Sequence, residues 1–552
     1  MLRLLGGLAA ALLFCLLPTQ TWAQADTLLI NGKIVTVDER FSIVQALAVK
    51  DARIVGAGKT ADIKKLAGPN TRVIDLKGRT VIPGLIDNHA HFVRAAQHWG
   101  LEVRWDGVTS RAKAVEMLRE RARSAKAGDW IAVLGGWSYD QFTDAQTPFT
   151  LAELDEIAPN HPVALQLVYT LAIVNSKGAE ALGLNDAALT IPGGRIVRDA
   201  AGKPTGVIEG GGASSFLRRK LPGGDAATRL TYARDLQRDL NRMGLTAFID
   251  WGGYGFTDEL YAPFVTLHDR SEMTVRVFHG MWNGAANAEQ TEQAVAAVRK
   301  LVPLQGDDWF DVLGWGETVF LPLHDNPAPK GVKIAPEQTA LWRKIAFAVA
   351  DRGMNLSVHA NQHDTIAAFL TEMESINKER PIRGLRWSLA HVREFRPEDI
   401  ERVRKLGLYL QVHSQATISG AGLHRVYGDA AYDQTPLRLI QDSGLPYGIG
   451  SDSNGAAPAN PFYTLWWAVT GKMLGGKQVI RQTITREEAL IAHTRNNGPF
   501  MFQEANLGSL AMGKYADLLV LDRDYLKVPA EQIKDIKPLL TMVGGKVVYE
   551  SK

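Results

Sequence analysis

The sequence predicts an α/β protein: a (β/α)8 TIM barrel with a small β-sandwich domain built from both termini and a large insertion after the first barrel strand. Three observations predict it. Short apolar strand runs alternate with helical segments through the middle of the chain, β-rich segments of one style flank that middle at both ends, and strand after strand in the middle finishes on a histidine or an acid. At 552 residues the chain exceeds one ordinary core but suits a barrel with an accessory domain.

The first 25 residues, MLRLLGGLAAALLFCLLPTQTWAQA, combine an early Arg3, an apolar run, Pro18 and a small-residue site at Ala23 to Ala25, the layout of a cleaved secretory signal. Its apolar run is shorter than the roughly 20 residues a membrane span needs. The mature protein is therefore expected in the periplasm or outside the cell, with no membrane attachment. Cys15, the one cysteine, lies in this segment behind Phe14, where a lipoprotein signal would want a small residue. Its removal excludes disulfides, cysteine nucleophiles and cysteine metal ligands.

Residues 26–82 hold the β-runs TLLINGKIVTVD, IVQALAVKDARIVGAG and TRVIDLKGRTVI, punctuated by Gly, Asp and Asn, with Gly56-Ala57-Gly58 read as a hairpin turn. Residues 501–552 repeat the style in ADLLVLDRD and PLLTMVGGKVVYES, so both ends are assigned to one β-sandwich domain. Residues 83–500 are assigned to the barrel. PGLIDNHAHF, GLTAFIDWGG, EMTVRVFHG, WFDVLGWGE, MNLSVHA, LRWSLAHV, GLYLQVHS and LPYGIGSDS supply its eight strands. An open doubly wound sheet fits less well, because no glycine-rich phosphate loop follows the first strand. Residues 92–240 break the rhythm with helical and irregular sequence and are read as an insertion overhanging the barrel mouth.

The chemistry sits at strand ends. His89 and His91 are one residue apart on a strand, so they share a face while Ala90 turns away. Five of the eight strands end on potential metal ligands: His89 with His91, Glu317, His359, His391 and Asp452. A lone histidine there is more often structural, but several such ends in one barrel face one mouth. Imidazole and carboxylate donors suit a divalent metal, one or two ions per chain, with Zn²⁺ first and Mn²⁺, Fe²⁺ and Co²⁺ matching the same ligand types. Trp137 and Asp140, with Tyr139 between them in GGWSYDQF, are candidate substrate-binding residues, as is His413 at the end of the seventh strand.

PGLIDNHAHF, the histidines of SVHA and LAHV, the aspartate of GIGSD and the tail LGSLAMGKYADLLVLD together resemble the amidohydrolase superfamily. Within it, the chain resembles the N-substituted formamide deformylase-like branch over most of its mature length. The resemblance implies His89, His91 and Asp452 on a more buried metal, His359 and His391 on a second, and a bridging carboxylate from the fourth strand. Many relatives use a carboxylated lysine as that bridge; WFDVLGWGETVF contains none, and Glu317 is the acid placed to substitute. A mononuclear site is the alternative. Asp452 would be the catalytic base, accepting a proton from a water whose pKa the metal lowers from about 15.7 to about 7 and passing it to the leaving nitrogen. Relatives often carry a histidine where this chain reads Tyr169-Thr170-Leu171, and they commonly form homodimers.

A net charge of +3 spread evenly over the chain argues against nucleic acid and membrane surfaces and for a small-molecule substrate. The expected function is metal-dependent hydrolysis of an amide, formamide or N-acyl C–N bond. One alternative is an aminohydrolase, or deaminase, acting on a heterocycle; such relatives usually place a glutamate three residues after the fifth-strand histidine, where this chain has Gln362. The other is a catalytically inactive, metal-poor binding protein of the same fold, which would leave histidines and carboxylates buried at a cost.

Overall fold

The computed structural model describes residues 24–551 apart from 253–257, 283, 326–331 and 333. The expected signal segment, through residue 23, lies outside the described residues. Eight apolar runs pair in chain order as parallel strands: β1 (Leu85–Ala90), β2 (Leu245–Asp250), β3 (Arg276–Met281), β4 (Phe310–Trp315), β5 (Asn355–Ala360), β6 (Ser388–His391), β7 (Tyr409–His413) and β8 (Tyr447–Gly450). β1, β2, β5, β6 and β8 are buried at every position, the continuous apolar pattern of a parallel sheet covered on both faces.

The ring closes where β8 meets β1. The Asp452 N–H donates to the His89 carbonyl at 2.9 Å, and the Ser451 N–H donates to Asp87 Oδ1 at 3.0 Å. Lower on the same seam, Asn497 Nδ2 donates to the carbonyls of Ile86 and Ile449 at 2.6 and 2.9 Å. One side-chain amide thus bridges the first and last strands.

The helices follow from local sequence. Helix Ala226–Met243 starts at Asp225, whose side chain accepts the Thr228 N–H, and ends at Gly244 in the left-handed region at φ 94°. Its buried residues Ala233, Leu236, Leu240 and Met243 recur at three and four, one apolar stripe against the barrel. Gly244 then turns the chain directly into β2.

Two further sheets are made by the chain ends. Arg53–Gly58, Ala46–Lys50, Ala25–Ile30 and Ala67–Asp75 form a four-stranded sheet. Gly56-Ala57-Gly58 therefore lies in a strand, paired with Ala46 to Ala48, and is not a turn. The hairpin turns four residues before Gly56, at Asp51 and Ala52, both at positive φ. The six-stranded sheet combines Lys33–Val35, Ile43–Val44 and Thr80–Pro83 with Leu518–Leu521, Pro538–Val543 and Lys546–Glu550, pairing Ile82 with Leu519. Leu29, Leu47, Ile54, Val81, Leu518 and Met542 pack together as one buried cluster drawn from both sheets. From Pro83 the chain passes through Gly84 into β1; a Cβ at Gly84 would lie 2.2 Å from Thr246 Oγ1, so the two first barrel strands require glycine there.

Residues 92–240 contain more regular structure than their sequence suggests. Arg195–Arg198, Pro204–Glu209, Leu171–Val174, Val163–Leu167 and Ile131–Leu134 form a five-stranded sheet flanked by helices such as Arg111–Ser124 and Leu151–Ile157. These strands are four to six residues long, and Ile131–Leu134 is buried throughout. Such short apolar runs carry no period that separates strand from buried helix. The insertion touches the barrel mouth where the Gly136 N–H donates to the Gly455 carbonyl at 3.0 Å and Ser138 Oγ donates to the Ile418 carbonyl at 2.6 Å.

Barrel and terminal sheets are joined by a buried ion pair. Arg276 of β3 places Nε 2.8 Å from Asp517 Oδ2 and Nη2 3.1 Å from Oδ1, and the Gly544 N–H also donates to Asp517. Removing one partner strands a buried charge. We expect Asp517→Ala to lower unfolding stability by about 3–5 kcal/mol, read as a drop in the denaturation midpoint; an unchanged midpoint would contradict this clamp.

Candidate metal centre

Each barrel strand ends at the same mouth, and the local backbone aims the side chains inward. His89 ends its strand fully buried, and His91 follows on the same side. Gly316, at φ 138°, lets β4 turn so that Glu317 enters the mouth; a Cβ there would meet the Ser357 carbonyl oxygen at 2.2 Å. His391 and Asp452 also occupy the left-handed region, at φ 75° and 67°, a conformation that costs energy in non-glycine residues and concentrates at functional sites.

Glu317 lies at the centre. Its Oε2 is 3.0 Å from His89 Nε2, 3.2 Å from His391 Nε2 and 3.5 Å from His359 Nδ1, and its Oε1 is 3.7 Å from His91 Nε2. Asp452 faces it, with Oδ1 3.0 Å from His91 Nε2 and 3.9 Å from His89 Nε2. All six residues singled out at strand ends therefore converge. Three sets of donors are close enough to share an ion: His89, His91 and Glu317; Glu317, His359 and His391; and His89, His391 and His413.

The donor set fits a divalent cation. It is buried, made only of imidazole nitrogen and carboxylate oxygen, and the inward atoms His89 Nε2 and His359 Nδ1 are buried without an aligned hydrogen-bond partner. The opposite ring nitrogens are occupied. His89 Nδ1 lies 3.1 Å from Gln411 Oε1, His91 Nδ1 bonds the Gly252 carbonyl, and His359 Nε2 lies 2.6 Å from the Asp325 carbonyl and 3.1 Å from its Oδ1. Donating outward through one nitrogen leaves the other lone pair facing the centre. Asp250 accepts the Gly252 N–H at 2.9 Å, so it fixes the carbonyl that orients His91.

Electrostatics divides the imidazoles. Burial opposes a charge on His89, but Glu317 and then Asp452 outweigh it and push the imidazole up to about 9. His359 rises to about 10 against the same burial, through Asp325 and Glu317. His391 falls to about 4, through burial and the neighbouring His359. Burial also opposes ionisation of Glu317 and Asp452, yet the surrounding histidines hold Glu317 well below the usual carboxylate range and Asp452 at about 2. Both acids are held as anions by the imidazoles around them.

The candidate substrate residues are placed differently. Trp137 is 0% exposed, walled in by Trp105, Tyr139, Phe142 and Phe149, and its indole N–H donates to the Gln166 carbonyl. It is a core residue of the insertion with no surface to offer a ligand. Asp140 is held by both terminal nitrogens of Arg425, at 2.7 and 2.8 Å, a salt bridge tying the insertion to the barrel. Both residues lack a place in the mouth because packing and ion pairing have claimed them. His413 is buried inside the cluster, its Nδ1 2.7 Å from His391 Nδ1 and its ring 4.3 Å from that of His89; it stands among the metal donors instead of in the chamber wall. The chamber above the cluster holds about 40 Å³, and its lining includes His91, Arg94, Tyr169, Glu317, His391 and Asp452.

Sequence reasoning missed Asp325, Gln411 and Gln415. Gln411 lies two residues before His413, so strand alternation from His413 points to it. Gln415, whose Nε2 donates to Asp452 Oδ2, follows at the same spacing. Asp325 sits in a loop beyond β4 and accepts the N–H groups of Asn361 and Gln362 at 3.0 and 2.8 Å; no pattern marks it.

A closed parallel barrel with nitrogen and oxygen donors gathered at its mouth defines the protein as a metal-dependent hydrolase that takes a divalent cation. A sequence model of the amidohydrolase family matches residues 72–549, and the chain belongs to that family. N-substituted formamide deformylase of Arthrobacter pascens is 24% identical over 546 residues, covering 95% of this chain and 98% of that protein. The Arabidopsis thaliana protein LONG AFTER FAR-RED 3 is 27% identical over 563 residues, covering 95% and 92%. A crystal structure of an uncharacterized metal-dependent hydrolase from Pyrococcus horikoshii shares the fold, with a TM-score of 0.65 at 20% identity over 91% of this chain and 99% of that one.

Two outcomes are expected of metal binding. Gln411→Leu removes the acceptor that orients His89 and should weaken metal affinity about 10–100-fold, measured by competition with a chelating dye. Because His89 and His359 hold protons at neutral pH without metal, an ion must displace them. Apparent affinity should therefore rise steadily from about pH 6 to about pH 8 with proton release on binding, and a flat profile would contradict the charge assignments.

Proposed function

We propose that the protein hydrolyses a C–N bond in a small amide, formamide or N-acyl compound, with Asp452 as general base and Zn²⁺ as the cation, two ions sharing Glu317. The observation that carries this reading is the Glu317 carboxylate set among four imidazoles with Asp452 opposite. Two carboxylate oxygens can face two ions, so glutamate can do here what a carboxylated lysine does in many relatives. His89, His91 and Asp452 would hold one ion, and His359 and His391 the other, with His413 beside both sets. When bound, the cation supplies Lewis acidity toward the carbonyl and acidifies a water molecule.

The chain's own groups supply the rest. Asp452 stays a carboxylate across the neutral range, with Gln415 donating to Oδ2, so one oxygen is held while the other accepts the water proton. It then delivers that proton to the leaving nitrogen, which turns an amide anion into an amine. The chamber of about 40 Å³ admits the reacting group and little solvent, which strengthens every electrostatic contact inside. The name of the similar formamide deformylase supports an amide-type substrate. A heterocycle aminohydrolase would want a carboxylate where Gln362 stands, and an amide side chain cannot carry a proton between ring and amine.

The reading is tested by metal analysis of the purified protein together with a screen of N-formyl and N-acyl amines. Metal-loaded protein should release amine, and Asp452→Asn should lower kcat about 10²–10⁴-fold with metal content largely kept. Glu317→Gln should lose metal before it loses fold. Full turnover by Asp452→Asn, or no hydrolysis of any N-acyl compound by loaded protein, would refute it.

A further inference from the structure

Arg94 lies three residues after His91 on the short helix Phe92–Ala96, so a single turn of helix carries the chain from the metal centre to a second cavity. That cavity is far larger, about 470 Å³, and its lining includes Arg94, His98, Ser214, Ser215 and Arg218. The chamber over the cluster is about a tenth of that, at about 40 Å³. It suits a small reacting group and not the body of a larger molecule. The larger cavity lies within the roughly 300–1,000 Å³ typical of small-molecule sites, and Arg94 lines both spaces. The reacting group therefore belongs in the small chamber and the body of the substrate in the large one.

The charge of that second space is one-sided. Arg94 is 6% exposed, and its Nε is buried without a hydrogen-bond partner among the described residues. Its Nη2 lies 3.3 Å from Tyr169 Oη. Arg218 donates from Nε to Gln166 Oε1 at 3.1 Å and from Nη2 to the Leu134 carbonyl at 2.7 Å, while its Nη1 is buried and unpartnered. Burial and then the Arg94 guanidinium pull Arg218 down to about 10, so the two cations feel each other. No acid stands among the described lining residues. Carboxylates act on the two cations from outside the lining, Asp250 and Asp452 on Arg94 and Glu102 on Arg218; Asp250 also accepts the Val93 and Gly252 N–H groups, and Glu102 the Leu134 N–H. Arg94 and Arg218 both line the cavity, and two neighbouring buried guanidiniums are costly unless anionic charge lies near them.

We propose that this cavity is an anion subsite in which Arg94 and Arg218 clamp a carboxylate of the substrate, so that the protein acts on N-acylated compounds carrying a carboxylate in preference to neutral amides. The proposal rests on the hydrolase reading for the chemistry and on the cavity alone for the binding. Guanidinium donors match a carboxylate in geometry and charge. A neutral amide in the same place would leave both cations buried and unpaired, which is how a polar site rejects an uncharged analogue. Tyr169 lines the small chamber and its hydroxyl lies 3.3 Å from Arg94 Nη2, so it stands where the two spaces adjoin.

Binding and turnover are measured separately. Calorimetric titration uses the metal-loaded Asp452→Asn protein, which should not turn over an amide during the measurement, with 3-phenylpropanoate, 3-phenylpropanamide and 2-phenylethyl phosphate. The carboxylate should bind at least tenfold more tightly than the amide. Arg218→Met should remove that preference by weakening carboxylate binding, and Arg218→Lys should keep part of it. Ser215→Glu, at a half-exposed position where the fold is not at stake, should also remove it by repulsion. Equal binding of acid and amide, or acid binding that both Arg218→Met and Ser215→Glu leave intact because the acid sits on the metal, would overturn the subsite. Tighter binding of the phosphate would overturn its assignment to carboxylates. Turnover is then compared for N-formylphenylalanine and N-formylphenethylamine, with kcat/KM expected to favour the acid at least tenfold in wild type and not in Arg218→Met. If neither compound is hydrolysed, the hydrolase reading fails while the titrations still decide the subsite.

Discussion

Glu317 brings one negative charge to a point where four imidazole nitrogens lie within 3.7 Å of its two oxygens. A carboxylate so buried would ordinarily take up a proton, and the histidines around it would ordinarily lose theirs. Glu317 keeps the protons on His89 and His359 and they keep it ionised, while His391 is pushed down, and the result is a knot of charge that no apolar core would tolerate. Everything around the mouth serves to keep that knot in register: the left-handed turns at His391 and Asp452, the outward bonds of His89, His91 and His359, and the glycine at 316 that lets the acid enter.

The barrel suits this task because its strands deliver side chains from distant parts of the sequence to one rim with little freedom. The seam between β8 and β1 matters most. There Asn497 fastens the first strand to the last, while Asp87 accepts the Ser451 N–H and lies 3.1 Å from the His89 N–H. Two of the donors, His89 and Asp452, stand on opposite sides of this seam and are joined by a backbone hydrogen bond. Closure of the sheet and assembly of the site are thus one event.

Much of this was legible in the sequence, for a physical reason. A strand end with a histidine or acid is a local feature, and eight such runs in order leave few ways to arrange them, so His89, His91, Glu317, His359, His391 and Asp452 could be named together. The barrel itself was legible on the same grounds. Residues whose role depends on tertiary neighbours were not. Asp325 reaches His359 from an irregular loop, and Trp137, conspicuous in its glycine-flanked setting, turned inward because Trp105, Phe142 and Phe149 surround it. The sheet inside residues 92–240 was missed because its strands are only four to six residues long, too short to show a period. His413 was seen, but whether a histidine near a strand end faces a ligand or its fellow histidines is set by neighbouring strands that its own sequence does not encode.

The strand Thr80–Pro83 lies between Lys33–Val35 and Leu518–Leu521 and leads straight into β1. Its second neighbour is therefore made near the end of synthesis, and the first barrel strand hangs from a sheet that is incomplete until then. A growing polypeptide of this design can collapse and form helices but cannot lock its rim, since contacts across such separations form slowly and last. The nascent chain therefore stays without a finished rim for most of its time on the ribosome.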